Sequence, residues 1–502
     1  MWRWPRIAIV WLCCIFTLGA CGSEQSLSPA SSSGRLVSSP TTTIASATAL
    51  QPAGDSTLTP DAQIAGINVG GLTGAAATAK LQEELTVINR PLELRTGTAR
   101  MTLRPEDIDL QAPVEDLVAE ALRQAENGEP VRVDLEITLD EAALRNQLNE
   151  LAATAAVTPT ISLITSTETL SRTFAYTPGQ SLDFEKALQQ VEEHLRSPQA
   201  TQRLTLDLES DPATPQVSRE QIREQVEAMA AEWDGIVGFY LHNLTDGETI
   251  TLNENTVFSG ASVMKVPILL QAYINLEEFD EEQQQWLREM IEQSDNLSAN
   301  DLLAASVDGQ GTEDALVGAR AMNDMLRDLG LEHTYQNLPY EAYDYLVTLQ
   351  GIPIQSGPAQ EGALPYTEAD PLVRTTPAEM SQVFLWIDQC SKGEGILLER
   401  FESTLNAERC QEMLDRLEAN EDATRLVSGI PEGVRVEHKS GWVEDMQADV
   451  GIVRSPGGDF LLAVYLYQKN DWLRDHIAAP VIGAFAHMVY TAYNPVELAQ
   501  DE

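Results

Sequence analysis

Apolar positions along the 502-residue chain change period several times, and each change marks a boundary. An apolar run from Ile7 to Leu18 follows Arg3 and Arg6; it is shorter than the ~20 residues a membrane span needs. From Gly22 to about Pro60, Ser, Thr, Ala and Pro dominate (SPASSSGRLVSSPTTTIASATA). Such a stretch buries too little apolar surface to fold and reads as a stalk, with an r.m.s. reach of roughly 35 Å. Regular patterning starts at Asp61. Ile64, Ile67 and Val69 lead into Gly70-Gly71, and an amphipathic helix runs to about Leu85. The strands PLELRTG and ARMTLRP follow, then a helix from Pro113 to about Ala125. A second stretch ends in YTPGQSLDFEKALQQVEEHL and the strand RLTLDLE.

A Pro-rich join, Ser210 to Val217, ends this module. Ser218 followed three residues on by Gln221 is a capping-box pattern and predicts a helix to about Trp233. The β-branched and aromatic run GIVGFYLH, an Asp246-Gly247 turn and TITLN predict a hairpin. FSGASVMKVPILLQAYI reads as a loop entering an apolar helix, and a long helical stretch follows. Strands return in GVRVEHKSG and ADVGIVRSPGGDFLLAVYLYQ, before a last helix to about Thr491. Strands at both ends with helices between them predict an α+β fold: one antiparallel sheet flanked by the terminal helices, with an inserted all-helical subdomain. The resulting boundaries are a leader (1–20), a stalk (21–60), an α+β module (61–212) and a C-terminal domain (217–495).

Charge narrows the function. Lys and Arg number 32 against 77 Asp and Glu, for a net charge of −45. A surface that acidic repels phosphate backbones and anionic headgroups, so neither nucleic acid nor electrostatic attachment to a membrane is expected. The six His are scattered and the five Cys have no zinc-ligand spacing, so no metal or cofactor is expected.

Three short motifs carry chemistry. Ser262-Val263-Met264-Lys265 is S-x-x-K at a helix start, and three residues make most of a turn, so both side chains share a face. A serine hydroxyl becomes a nucleophile when a base takes its proton, and a neutral Lys one turn away does that. Backbone N–H groups at the helix start are suited to holding an oxyanion. Ser294-Asp295-Asn296 lies in the helical stretch, and Lys439-Ser440-Gly441 ends the strand VRVEHK, where Gly lets substrate approach the backbone. S-x-x-K alone is a weak signal; all three in this order are a strong one. His438, beside Lys439, reads as a strand residue facing elsewhere.

This set resembles the class A β-lactamase and penicillin-binding superfamily of active-site serine enzymes. SDNLSAND, including Asn300, resembles the family's SDN helix, and RTTPAEM (Arg374 to Met380) the end of its Ω-loop. The resemblance implies Ser262 as acylated nucleophile, Lys265 as its base or proton relay, and Ser294 as donor to the leaving nitrogen. It implies Asn296 holding the substrate amide and steadying Lys265, Lys439 and Ser440 meeting a substrate carboxylate, and the N–H groups of Ser262 and Trp442, after Gly441, forming the oxyanion hole. Burial and the cation of Lys439 would lower the pKa of Lys265.

Two other resemblances concern the N-terminal half. Leu18-Gly19-Ala20-Cys21 is similar to a bacterial lipobox, which implies a diacylglycerol on Cys21 and an exported protein tethered to the outer face of a cell membrane through that lipid; the alternative is an ordinary cleaved signal. IAGINVGGLTGAAATAKLQ and YTPGQSLDFEKALQQV resemble the peptidoglycan-binding domain found ahead of VanW-type proteins, with an α+β spacer that binds nothing as the alternative. With Cys21 lipidated in an oxidising compartment, Cys390 and Cys410 are expected to form a disulfide, or else two buried thiols.

One departure matters. The family's deacylating carboxylate stands in an E-x-x-L-N stretch before the T-P of the Ω-loop. Glu361-Gly-Ala-Leu364-Pro365 is the nearest match, with Pro where Asn belongs; Glu368 and Asp370 are further candidates. The leading expectation is a β-lactamase-like hydrolase of β-lactam amides. The alternatives are a penicillin-binding enzyme acting on D-Ala peptides of peptidoglycan, and a non-catalytic wall-binding or sensor lipoprotein.

Overall fold

The computed structural model describes residues 56–166, 171–198, 200–211, 213–469 and 472–498. The Leu18–Cys21 lipobox and the stalk as far as residue 55 lie outside the described residues. Among the described residues no helix is long and apolar enough to cross a membrane.

The N-terminal module follows the predicted elements closely. Helix α1 (Gly74–Glu84) is capped by Thr73, and strands β1 (Leu92–Thr96) and β2 (Ala99–Leu103) pair antiparallel. Helices α2 (Val114–Glu126) and α3 (Glu141–Ala155) come next, then the hairpin β3 (Thr160–Thr165) and β4 (Arg172–Thr177). Helix α4 (Phe184–Leu195) precedes β5 (Arg203–Thr205), which joins β1 in parallel. Two apolar clusters hold the module, one built on Leu94, Leu144, Leu148 and Val191, the other on Ile64, Leu81, Leu117 and Val118.

The C-terminal domain begins with α5 (Arg219–Glu232), whose capping box is the predicted one: Gln221 N–H donates to Ser218 Oγ, and Ser218 N–H to Gln221 Oε1. Strands β6 (Ile236–Asn243) and β7 (Thr249–Leu252) form the hairpin. The helical insertion contains α6 (Lys265–Asn275), α7 (Glu281–Glu292), α8 (Asn296–Ala305) and α9 (Gly311–Asp328). After β8 (Val373–Thr375) come α10 (Pro377–Ser391) and α11 (Ala407–Glu418), which the Cys390–Cys410 disulfide ties together at a Cα separation of 5.7 Å. Strands β9 (Arg435–Val443), β10 (Met446–Arg454) and β11 (Phe460–Tyr467) return to the sheet before α12 (Asp475–Tyr493).

The five strands lie in the order β7-β6-β11-β10-β9, all antiparallel. Central β11 is apolar throughout and buried along its whole length, because both faces of the sheet are covered. On one face it packs the insertion and α10, through Met264, Ile268, Phe384 and Tyr465; on the other it packs α5 and α12, through Val226, Phe239 and Phe485. Strand β9 is the edge strand, and it faces the Ser262 turn.

The Pro-rich join is not the sole tie between the two halves. Strand β12 (Val496–Glu497), at the end of the chain, pairs in parallel with β4 of the N-terminal module. Phe174 of β4 is buried in the α5–α12 core, its N–H donating to Thr491 Oγ1 at 3.1 Å, and Arg172 pairs with Glu232 at 2.6 Å.

Candidate active site

Ser262 sits in a 3-10 turn, Ala261–Met264, that feeds directly into α6. Gly260 N–H donates to Val373 O at 2.7 Å, and Ala261 takes a left-handed φ of 43°. That conformation is costly for a residue with a Cβ and persists only where the surroundings fix it. Pro267 falls in the first turn of α6, where its missing N–H leaves no intrahelical bond unmade.

The SDN residues divide their labour. Ser294 turns the chain with φ 59°, Asp295 caps α8 by accepting from Ser298 N–H at 2.7 Å, and Asn296 is the first helical residue. This turn brings Ser294 and Asn296 onto Lys265. Lys265 Nζ lies 2.8 Å from Ser262 Oγ, 2.7 Å from Asn296 Oδ1, 2.9 Å from the Ser294 carbonyl and 3.3 Å from Ser294 Oγ. Burial, and next the cation of Lys439, push its pKa down to about 7; Asp295 and Glu341 pull the other way. The Ser294 carbonyl and Asn296 Oδ1 can only accept. A neutral amine with two N–H bonds satisfies both, and its lone pair is left for the Ser262 hydroxyl.

Lys439 is buried in mid-strand on β9 rather than solvated at its end, and burial lowers its pKa to about 8 against the pull of Asp449 and Asp422. The Ser440 hydroxyl is hydrogen-bonded to Asp422, whose carboxyl is held well below the usual range despite its burial, by Ser440, Thr424 and Arg425. Gly441 allows the strand its close approach: a Cβ there would stand 2.8 Å from the backbone nitrogens of both Ser262 and Val263. Trp442 is 56% exposed. His438 faces away from Lys439, as expected for a strand neighbour, and is buried with Nδ1 2.9 Å from Asp449.

Glu361 stands in a different network. Its carboxylate receives the Tyr335 hydroxyl at 3.0 Å and Arg374 Nη1 at 3.1 Å, with His333 Nδ1 at 3.4 Å. None of these bonds reaches Ser262, Lys265, Ser294 or Asn296. Buried Arg374 also donates to the carbonyls of Pro358, Ala369 and Asp370, so Glu361 and Arg374 together staple the loop before α10. Glu368 pairs with Lys469, and Asp370 accepts from Leu372 N–H.

The acid that does join the centre is Glu341, which the sequence reading passed over. Asn296 Nδ2 donates to Glu341 Oε1 at 2.8 Å. Asn300, one turn along α8, clamps the preceding residue: its Nδ2 donates to Tyr340 O and its Oδ1 accepts Tyr340 N–H, both at 2.9 Å. The Tyr340 ring lies 4.5 Å from Lys265 Nζ, and its hydroxyl donates to Ala261 O at 2.8 Å. The available signal was the pair Asn296 and Asn300, four residues apart on one helix face, which requires a partner segment opposite. Among the described residues no cluster of side chains has the make-up of a metal site.

The fold and centre are those of the β-lactamase type of serine hydrolase. Residues 221–284 and 282–493 match the model of the Beta-lactamase enzyme family, more than half of the chain, and the chain belongs to that family. Among solved structures it is similar to PBP-A, including its acyl-enzyme complex with penicillin G, at 19% identity over 56% of this chain and 99% of that one, with a TM-score of 0.42. An ancestral class A β-lactamase aligns at 20% identity over 54% of this chain and 98% of that one, with a TM-score of 0.40. No curated protein sequence matches the chain.

Proposed function

We propose that the C-terminal domain hydrolyses β-lactam amides through an acyl-enzyme on Ser262. The observation that carries this reading is the buried Lys265 amine, set 2.8 Å from Ser262 Oγ with its other polar neighbours already assigned. Lys265 accepts the Ser262 proton as Oγ bonds to the lactam carbonyl carbon. The oxyanion that forms is taken up by the N–H groups of Ser262 and Trp442, an assignment supported by the close approach at Gly441. The proton then passes from Lys265 through Ser294 to the lactam nitrogen as the C–N bond breaks. Lys439 receives the substrate carboxylate together with Ser440, whose hydroxyl exchanges Asp422 for the substrate.

Deacylation needs a base, and we assign it to Glu341 rather than Glu361. Its bond to Asn296 sets it beside the residue that touches Lys265, whereas Glu361 is consumed by Arg374 and Tyr335. Glu341 takes a proton from water, the hydroxide attacks the acyl carbon, and Ser262 leaves with the proton returned through Lys265.

The first 21 residues, on this reading, export the protein and leave it lipid-anchored on Cys21, with the stalk holding the domains out from the bilayer. The test of the catalytic reading is penicillin ring opening followed by absorbance with the full chain. Wild type is expected to consume the drug in many-fold excess over enzyme, and Ser262→Ala to consume none. Equal rates for both would sink the assignment. One equivalent consumed and no more would favour the penicillin-binding alternative acting on D-Ala peptides.

A further inference from the structure

The three-stranded sheet β2-β1-β5 of the N-terminal module has one face in the core and one in solvent. Leu92, Leu94 and Leu204 point inward. The alternation then puts Glu93 and Arg95 of β1, Arg100 and Thr102 of β2, and Arg203 of β5 on the outer face. Register sharpens the picture. Arg95 stands directly opposite Arg100, and Glu93 directly opposite Arg203. Like charges directly opposite each other across a ladder destabilise a sheet, so the Arg95–Arg100 pair is a cost that the fold alone does not call for.

An open cavity of about 620 Å³ lies on this face, lined by Arg100, Arg203, Thr102, Thr201 and Gln202, with Glu93 the one acid in its wall. It shares no residue with the serine centre. In a chain with 77 acids against 32 bases, a cavity wall with more cations than carboxylates is opposite in sign to the molecule around it. Glu93 also displays how this face holds a carboxylate. It is bridged by Arg95 at 2.7 Å and by Arg203 at 3.1 Å, and the two guanidinium groups hold its carboxyl below the usual range. Among the described residues Arg100 has no ion pair and no side-chain hydrogen bond.

We propose that this face is a binding site for a carboxylate-bearing peptide, with Arg100 as its principal anchor and Arg203 flanking it. A carboxylate of the ligand forms the forked pair with Arg100 that Glu93 already forms with Arg95, and the geometry of guanidinium and carboxylate suits that pairing. Thr102, Thr201 and Gln202 offer hydroxyl and amide groups to the ligand's own amides. The site is independent of the serine centre and stands or falls without it.

The test is calorimetric titration of the full chain at low salt with three probes: N-acetyl-triglutamate amide, its triglutamine counterpart and inorganic tripolyphosphate. Triglutamate is expected to bind saturably and triglutamine not at all. Arg100→Gln is expected to weaken triglutamate binding about tenfold or more, the scale of one charge-assisted hydrogen-bonded pair. Arg100→Lys, which keeps the charge and loses the fork, should fall between. Both substitutions are on an exposed face, so the melting temperature and the reaction with penicillin should match wild type. No saturable triglutamate binding would overturn the site, as would binding that neither Arg100→Gln nor Arg203→Gln weakens. Tripolyphosphate binding more tightly than triglutamate would overturn the carboxylate assignment.

Discussion

Two lysines set the pH behaviour, because each must be in the opposite protonation state. Lys265 works as a base when neutral, so acylation rises as pH passes its pKa of about 7. Lys439 attracts a carboxylate when charged, so affinity is lost as pH passes about 8. A narrow bell in kcat/KM for a penicillin is expected, with its maximum between those values. In Lys439→Ala the repulsion on Lys265 is gone, and the acid limb should move to higher pH. A methyl ester substrate, which lacks the carboxylate, should lose the alkaline limb; pH–rate profiles of the three cases check this. Glu341→Gln should slow deacylation by about a hundredfold or more, the scale of general-base assistance, while Glu361→Gln should chiefly lower the melting temperature by loosening the Arg374 staple. The serine, its lysine, the SDN turn and the KSG strand could be read from the sequence because each is a local pattern that a helix or strand places by itself. Glu341 could not. The loop that follows it carries Glu361 nearer in sequence to Thr376-Pro377, and only the Asn296 and Asn300 bonds reveal which acid folds back.

Edge strand β9 and the turn before α6 form a single working part, and Gly441 is where they meet. A Cβ at that position meets two backbone nitrogens rather than a side chain that can swing aside. Gly441→Ala should therefore cost about 1–3 kcal/mol of stability and lower the acylation rate sharply, because the displaced atoms include the Ser262 N–H. Thermal melts and single-turnover acylation measure the two effects. Elements with strong local signals were legible: the capping box opening α5, the alternating and apolar runs of β6 to β11, and the polar-to-apolar periodicity of α2 and α4. The placement of the KSG strand at the sheet edge was not, since strand order depends on pairings between residues far apart in sequence, such as Ile236 with Tyr467.

On the scale of the whole molecule, the two modules share structure that the Pro-rich join hides. Phe174, from the N-terminal hairpin, fills the core between α5 and α12, and the chain's last strand pairs back onto that hairpin. Phe174→Ala is expected to cost about 3 kcal/mol, and to lower the melting temperature of the catalytic domain itself, as followed by loss of penicillin reactivity on heating. Unchanged heat inactivation would mean the hairpin is an ornament to the core. None of this was visible in the local pattern, because the contacts link Thr173 to His487 and Phe174 to Thr491, across most of the chain.

The central claim, that Ser262 is acylated and Glu341 releases it, is tested most directly by intact-protein mass over time with penicillin. The account predicts a fleeting adduct on wild type, a long-lived adduct of the same mass on Glu341→Gln, and none on Ser262→Ala. An adduct on Glu341→Gln that clears as fast as on wild type would contradict it.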